Sequence, residues 1–183
     1  NIPFEIKRLN LEIVKDYLDN SMKLSGILSA KGEAAWFKNR APQVNLEVNS
    51  NSLKFTQILS EGRTFPITAS PLKINARLAD NNLNLKTDLR IENNGRLVTD
   101  LVIKDIIKLR TLSGKINIDQ ISLRLIKPLL MGGETVDGNI NAKLTMSGNM
   151  LAPQLHGQLI LHDLRAKSVS MPFDITDGHL AMN

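Results

Sequence analysis

The sequence predicts a mainly β protein: an antiparallel sheet with one aliphatic face, one polar face and one or two short helices. Three observations carry this. Aliphatic residues recur at every second position along most of the 183 residues. Clusters of Asn, Asp and Gly fall between the alternating runs, where turns belong. Unbroken apolar runs are only a few residues long, such as Leu129-Leu130-Met131, whereas strands covered on both faces read as continuous apolar stretches.

From the N-terminus, Asn10 is placed to cap a helix over Leu11-Glu12-Ile13-Val14-Lys15-Asp16-Tyr17-Leu18, in which Leu11, Val14 and Leu18 share a face. Val44-Asn45-Leu46-Glu47-Val48 alternates as a strand. Leu72 to Leu78 and Leu83 to Ile91 alternate across Asp80-Asn81-Asn82, and Glu92-Asn93-Asn94-Gly95 supplies a hairpin signal before the strand Leu97–Ile103. Residues 72–104 therefore read as a three-stranded meander. The next junction, Lys104-Asp105-Ile106-Ile107-Lys108-Leu109-Arg110, holds no Gly, Pro or Asn, so its form is left open. Lys115-Ile116-Asn117-Ile118 resumes the alternation. Ser122 is placed to cap Leu123–Lys127, and Pro128 ends or kinks that turn. Asn139–Met146 and Leu155–Leu161 are further strands, and Gly178–Met182 is strand-like. The ends read as cuts, so the chain is expected to be one elongated β-rich domain, 1–183, from a longer protein.

A shift of 112 residues without gaps superposes two segments. Leu11 falls on Leu123, Lys15 on Lys127, Leu18 on Leu130, Gly26 on Gly138, Ala30 on Ala142 and Lys31 on Lys143. Leu9, Ile13, Val14, Leu24 and Leu28 meet Ile121, Leu125, Ile126, Val136 and Ile140. The unit is a strand end, a short amphipathic helix and a Gly-led strand, and such units build elongated objects.

Composition removes several function classes. Hydrophobic residues make up 42% and charged ones 22%, which is globular composition. Cysteine is absent, so disulfides, thiolate chemistry and Cys-ligated metals are excluded. No stretch has the roughly 20 apolar residues of a membrane helix, nor is there a charged-then-apolar leader. His156 and His162 sit on one strand about 20 Å apart, too far to share one zinc. Gly133 to Gly138 has the glycine spacing of a phosphate loop, but Asn139-Ile140 stands where Lys and Ser or Thr are required. No nucleophile elbow and no paired carboxylates are present, so neither catalysis nor a cofactor is expected. The formal charge of +5 allows anionic partners. Phe4, Tyr17, Trp36, Phe37, Phe55, Phe65 and Phe173 are dispersed, however, and give no stacking platform for nucleic acid.

What remains is the aliphatic face. By strand parity it carries Leu72, Ile74, Leu78, Leu83, Leu85, Leu89, Ile91, Leu97, Leu101, Ile103, Ile116, Ile118, Ile140, Leu144, Met146, Leu159 and Leu161. The pattern alone fits either a sandwich closed on itself or an open trough that accepts an apolar guest.

The order of these motifs carries a resemblance. The short helix, the Gly-led strand Val136–Ala142, then Ser147-Gly148-Asn149 and Ala152-Pro153-Gln154-Leu155-His156-Gly157-Gln158-Leu159 resemble the AsmA-like repeat family. The likeness covers most of the chain, least well over 35–44 and 104–111. It implies a long sheet curled lengthwise into an open β-taco trough with an aliphatic interior. It implies a place in the periplasm, within a protein anchored in the inner membrane of a Gram-negative bacterium and reaching an outer-membrane barrel subunit, TamA. The stretch 148–161 implies the periplasmic C-terminal region of such a protein. The implied activity is assembly and secretion of outer-membrane β-barrel proteins, autotransporters among them. The cargo would be nascent β-barrel proteins or, alternatively, the acyl chains of phospholipids passing between the membranes. A structural spacer is the third possibility.

Overall fold

A computed structural model describes residues 1–13, 22–38, 40–58, 64–91, 95–125, 135–167 and 175–182. Strand content dominates. The strands are β1 (Ile2–Asn10), β2 (Met22–Ser25), β3 (Ile27–Phe37), β4 (Arg40–Ser50), β5 (Leu53–Ile58) and β6 (Thr64–Ala79). They continue with β7 (Asn82–Ile91), β8 (Gly95–Lys104), β9 (Thr111–Ser122), β10 (Thr135–Asn149), β11 (Ala152–Lys167) and β12 (Ile175–Met182). All pairings are antiparallel and join one open, curled sheet in the order β1-β3-β4-β6-β7-β8-β9-β10-β11-β12, with β5 on β6 and β2 on β5.

The hairpins follow from local chemistry. At β6–β7 the turn needs positive φ, and Asp80 (49°) and Asn81 (60°) supply it, short polar side chains that tolerate this region. The residues 92–94 of the expected Asn-Gly turn lie outside the described residues, but the β7–β8 ladder that it closes runs from Leu83↔Ile103 to Ile91↔Gly95. The junction that sequence left open is a loop at 105–110. Asp105 and Arg110 take positive φ. The Asp105 carboxylate accepts from Lys108 N–H at 3.2 Å, and the Arg110 N–H donates to the Asp105 carbonyl at 2.8 Å. One carboxylate and two left-handed residues do there what Gly or Asn does elsewhere.

A crease crosses the sheet. β2 and β3 are one strand broken at Gly26, whose φ is 130°. β4 and β5 are one strand broken at residues 51–52, and β6 shifts register against β7 between Ala69 and Leu72. Leu24, Phe55, Leu53 and Ala69 on one side of this line pack against Leu28, Leu72, Ile74 and Leu89 on the other. The aliphatic face is thus the inside of the fold.

The 112-residue repeat is written into the pairing. Ile6↔Ala30, Leu9↔Leu28 and Asn10↔Ile27 in the first unit match Ile118↔Ala142, Ile121↔Ile140 and Ser122↔Asn139 in the second. The ladder shifts register at the same place in both, between Ile6 and Leu9 and between Ile118 and Ile121. Gly138 repeats the conformation of Gly26, with φ of 125°. The expected helices are 3-10 turns at 11–13 and 123–125. The Asn10 side-chain oxygen accepts from Glu12 N–H at 3.0 Å, and the Ser122 hydroxyl from Arg124 N–H at 3.2 Å. These are the two caps that the sequence indicates. The rest of both expected helices, including Lys15, Leu18, Lys127 and Pro128, lies outside the described residues.

The sheet is a single layer. Among the described residues every strand pair in substantial contact is a hydrogen-bonded pair, and no second sheet covers the first. Among the described residues no large side chain is fully buried. A closed sandwich would bury whole Leu and Ile side chains between its sheets.

Candidate apolar groove

Partners directly opposite each other in an antiparallel ladder project to the same face, so the registers decide which side chains stand together. One row runs Leu28, Ser50, Leu72, Leu89, Leu97, Ile118, Ala142, Leu159 across β3, β4 and β6 to β11. The next runs Ala30, Val48, Ile74, Thr87, Thr99, Ile116, Leu144, and the next Gly32, Leu46, Ala76, Leu85, Leu101, Gly114, Met146, Leu155. A fourth runs Ala34, Val44, Leu78, Leu83, Ile103, Leu112. Ile91 lies opposite Ala69, and Ile140 lies between Ile121 and Leu161.

Every residue that parity assigned to the aliphatic face therefore stands on one face of one sheet. Most are half-buried, and Leu72 is buried. These rows hold no Asp, Glu, Lys or Arg, and their only hydroxyls belong to Ser50, Thr87 and Thr99. The sequence reading missed the contribution of β1, β3 and β4. Ala30, Gly32 and Ala34 are small, so the alternation there is faint. Val44-Asn45-Leu46-Glu47-Val48 was the signal that could have extended the groove in that direction. Phe4, on β1, spans the gap left by Gly32: a Cβ added there would lie 2.7 Å from the Phe4 ring, and aromatic cover of a sheet glycine is a recognised way to fill such a gap.

The opposite face is polar. Arg96 grips Asp88 through Nε–Oδ1 at 2.9 Å and Nη2–Oδ2 at 2.8 Å. Arg124 grips Asp137 in the same two-pronged way at 3.1 and 2.7 Å, tying the second turn to β10. Lys31–Glu47 and Lys86–Asp100 bridge neighbouring strands at 3.1 and 3.3 Å. An open depression of about 870 Å³ is lined mostly by polar-face residues of β3, β4, β6 and β7, such as Lys31, Glu47, Asn75 and Lys86, and also by Phe4, Gly32, Leu46 and Ala76. Its wall is mixed in charge and already partnered in large part, so it is a solvated hollow of the twisted sheet. His156 and His162 pair with Thr145 and Asn139 on this face. Among the described residues no three His, Asp or Glu side chains group closely enough to hold a metal ion.

The Asp88 carboxyl is held below its ordinary value by the Arg96 hydrogen bonds, and Asp137 by Arg124 and then by the Gly138 N–H. A depressed carboxyl stabilises the fold above its unfolded pKa, 3.8 here, and that gain is lost as pH falls through the lower folded value. Both pairs are largely solvent-exposed, so screening by water and salt leaves each only a small contribution. Thermal melts should show the protein losing a few degrees between pH 6 and pH 3. Arg96→Gln and Arg124→Gln should shrink that loss. A pH response unchanged in the double variant would remove these pairs as its cause.

The family described as "TamB, N-terminal domain" matches residues 1–161. Over 182 residues the chain is 39% identical to the translocation and assembly module subunit TamB of Haemophilus influenzae, covering all of this chain and 14% of that relative. The chain thus spans about a seventh of that relative's length. The matching description is of an N-terminal domain, so the expected C-terminal position draws no support from it. No solved structure matches. A family match over most of the chain, and a relative aligned to all of it, carry one conclusion: this chain belongs to the TamB family.

Proposed function

We propose that this segment is part of a periplasm-spanning component of a translocation and assembly module, anchored in the inner membrane. With TamA, it promotes assembly and secretion of outer-membrane β-barrel proteins. The observation that supports this is the aliphatic face, uncharged across its rows and left open by a single-layer sheet. Its mechanism is solvation, because apolar cargo crosses water along a surface that stays apolar throughout. The two edges of the open sheet add backbone donors and acceptors for an incoming strand.

A specific observation favours a second cargo. No aromatic residue occurs between Pro66 and Pro172, so the face from β7 to β11 is aliphatic apart from the Thr87 and Thr99 hydroxyls and suits saturated acyl chains. A chain of sixteen carbons gains on the order of 10 kcal/mol when moved from water to such a surface. The two cargoes are separated by placing a photocrosslinking amino acid at Leu101 in the full-length protein in cells. Adducts with outer-membrane barrel proteins are the expected result. Phospholipid adducts alone would favour the second cargo. No adduct of either kind, with the protein folded, would leave a spacer.

A further inference from the structure

We propose that one rim of the sheet, built from its hairpin turns, is a contact surface for an anionic phospholipid membrane: apolar loop tips enter the interface and cations meet headgroup phosphates. The proposal is independent of what the groove carries.

Topology collects the tips. Antiparallel hairpins place the turns of β3–β4, β6–β7, β8–β9 and β10–β11 on one rim. Three of these turns are stitched together. The Ile106 N–H donates to the Asn81 carbonyl at 2.9 Å, and the Met150 N–H donates to the Arg110 carbonyl at 3.0 Å. The Asn149 side-chain amide donates to the Leu109 carbonyl at 2.7 Å. β6 leaves β4 at Val44↔Leu78, so the β3–β4 tip, closed at Phe37↔Arg40, projects past the β6–β7 turn.

These tips carry side chains that turns do not need. Turn chemistry calls for Asn, Asp, Gly or Ser, yet the rim presents Trp36, Phe37, Ile107, Leu109, Met150 and Leu151. Leu151 is 83% exposed, Trp36 72%, Leu109 67% and Ile107 62%. Among the described residues these are six of the thirteen exposed large hydrophobics, so the exposure is concentrated at one rim and not scattered. The groove does not account for them, because its outermost row ends in Ile103 and Leu112 and the loop lies beyond that pair.

Charge selects the partner. Lys38, Arg40, Lys104, Lys108 and Arg110 lie on the same turns, all exposed. The acids there are Asp80 and Asp105, and the Asp105 carboxylate is turned to the Lys108 N–H at 3.2 Å. None of the five cations has an ion-pair partner among the described residues. On the polar face, by contrast, Lys31, Lys86, Arg96 and Arg124 are each paired with a carboxylate. Aliphatic tips and a tryptophan among unpaired cations match a membrane interface, where the ring and aliphatics sit at headgroup level and each cation gains from the negative surface.

The test uses the full-length protein in phosphatidylcholine nanodiscs, with dansylalanine, an environment-sensitive amino acid, in place of Leu109. Vesicles of phosphatidylethanolamine with about one-quarter phosphatidylglycerol should blue-shift its emission, and brominated acyl chains should quench it. Phosphatidylcholine vesicles should bind about tenfold more weakly, and about 0.5 M salt should erase that difference. Combined Arg40→Glu, Lys104→Glu and Lys108→Glu should erase it without added salt. Combined Met150→Ser and Leu151→Ser should weaken binding to both vesicles about tenfold. All five side chains are exposed, so both variants should keep the parent melting temperature. The same probe in place of Lys143, mid-strand on the polar face, should stay unshifted. A probe at 109 that ignores anionic vesicles, or one at 143 that responds equally, would overturn the proposal. So would equal binding of neutral and anionic vesicles by the unmodified protein. A blue shift that grows with protein concentration before vesicles are added would assign the rim to a second copy of the chain and overturn it too.

Discussion

Leu85→Glu should abolish function in a deletion strain while the protein still folds and reaches the envelope, and Asn84→Glu should leave function intact. The two substitutions introduce the same charge at adjacent positions of β7. Only the face differs: Leu85 stands between Ala76 and Leu101, and Asn84 between Arg77 and Val102. A carboxylate at 85 has no cation on its face to pair with, and cargo passing over it must strip its water, at a cost of several kcal/mol. Leu85 is half-buried and lies outside the buried cluster, so the loss of its own burial costs the fold about 1 kcal/mol. Leu89 is the less clean choice. It packs against that cluster, so Leu89→Glu would lower stability as well as block the groove. Complementation with matched protein levels decides the matter. Full activity of Leu85→Glu, or equal loss in both variants, would show that the aliphatic face carries no cargo.

That experiment can be designed because strand parity is legible in sequence. Between Leu72 and Ile103 the alternation is strict, the turns are marked, and a one-residue slip would move every aliphatic side chain into water. Register is therefore fixed by burial, and the residues assigned to the face from sequence all stand on it. Legibility fails where physics is carried by something other than alternation. The 105–110 loop is held by a carboxylate and by two non-glycine residues at positive φ, which leave no compositional mark. The strand from Ile27 is rich in Ala and Gly, so its aliphatic face is short in side chains rather than in residues. The crease is invisible as such, since Gly26 reads as an ordinary strand leader, as Gly138 does. The repeat hints that the two share a backbone conformation.

Gly26→Ala is expected to have the largest effect on the fold itself. At φ 130° an L side chain is strained whatever the space around it, at about 1–3 kcal/mol. Here there is also no space, because an added Cβ would run into the Ser52 carbonyl oxygen and the Leu53 Cα. Those atoms belong to the broken strand opposite, so the clash cannot be relieved without opening the crease. The Gly26 carbonyl also accepts the Leu11 N–H at 3.0 Å, and a shifted backbone would release that turn. Gly138 presents the same case: its added Cβ would meet the His162 and Asp163 carbonyl oxygens, 2.7 and 3.1 Å away. Each alanine should therefore lower the melting temperature well beyond a typical surface substitution, and the pair should add, since the two glycines have separate neighbours. Gly148→Ala gives a reference at φ 100° with looser surroundings, where the first contact is Ala152 O at 3.1 Å. If backbone strain alone mattered, all three alanines would cost the same. A larger loss at 26 and 138 than at 148 would assign the excess to close approach of the neighbouring strand's backbone, and equal losses would refute that assignment.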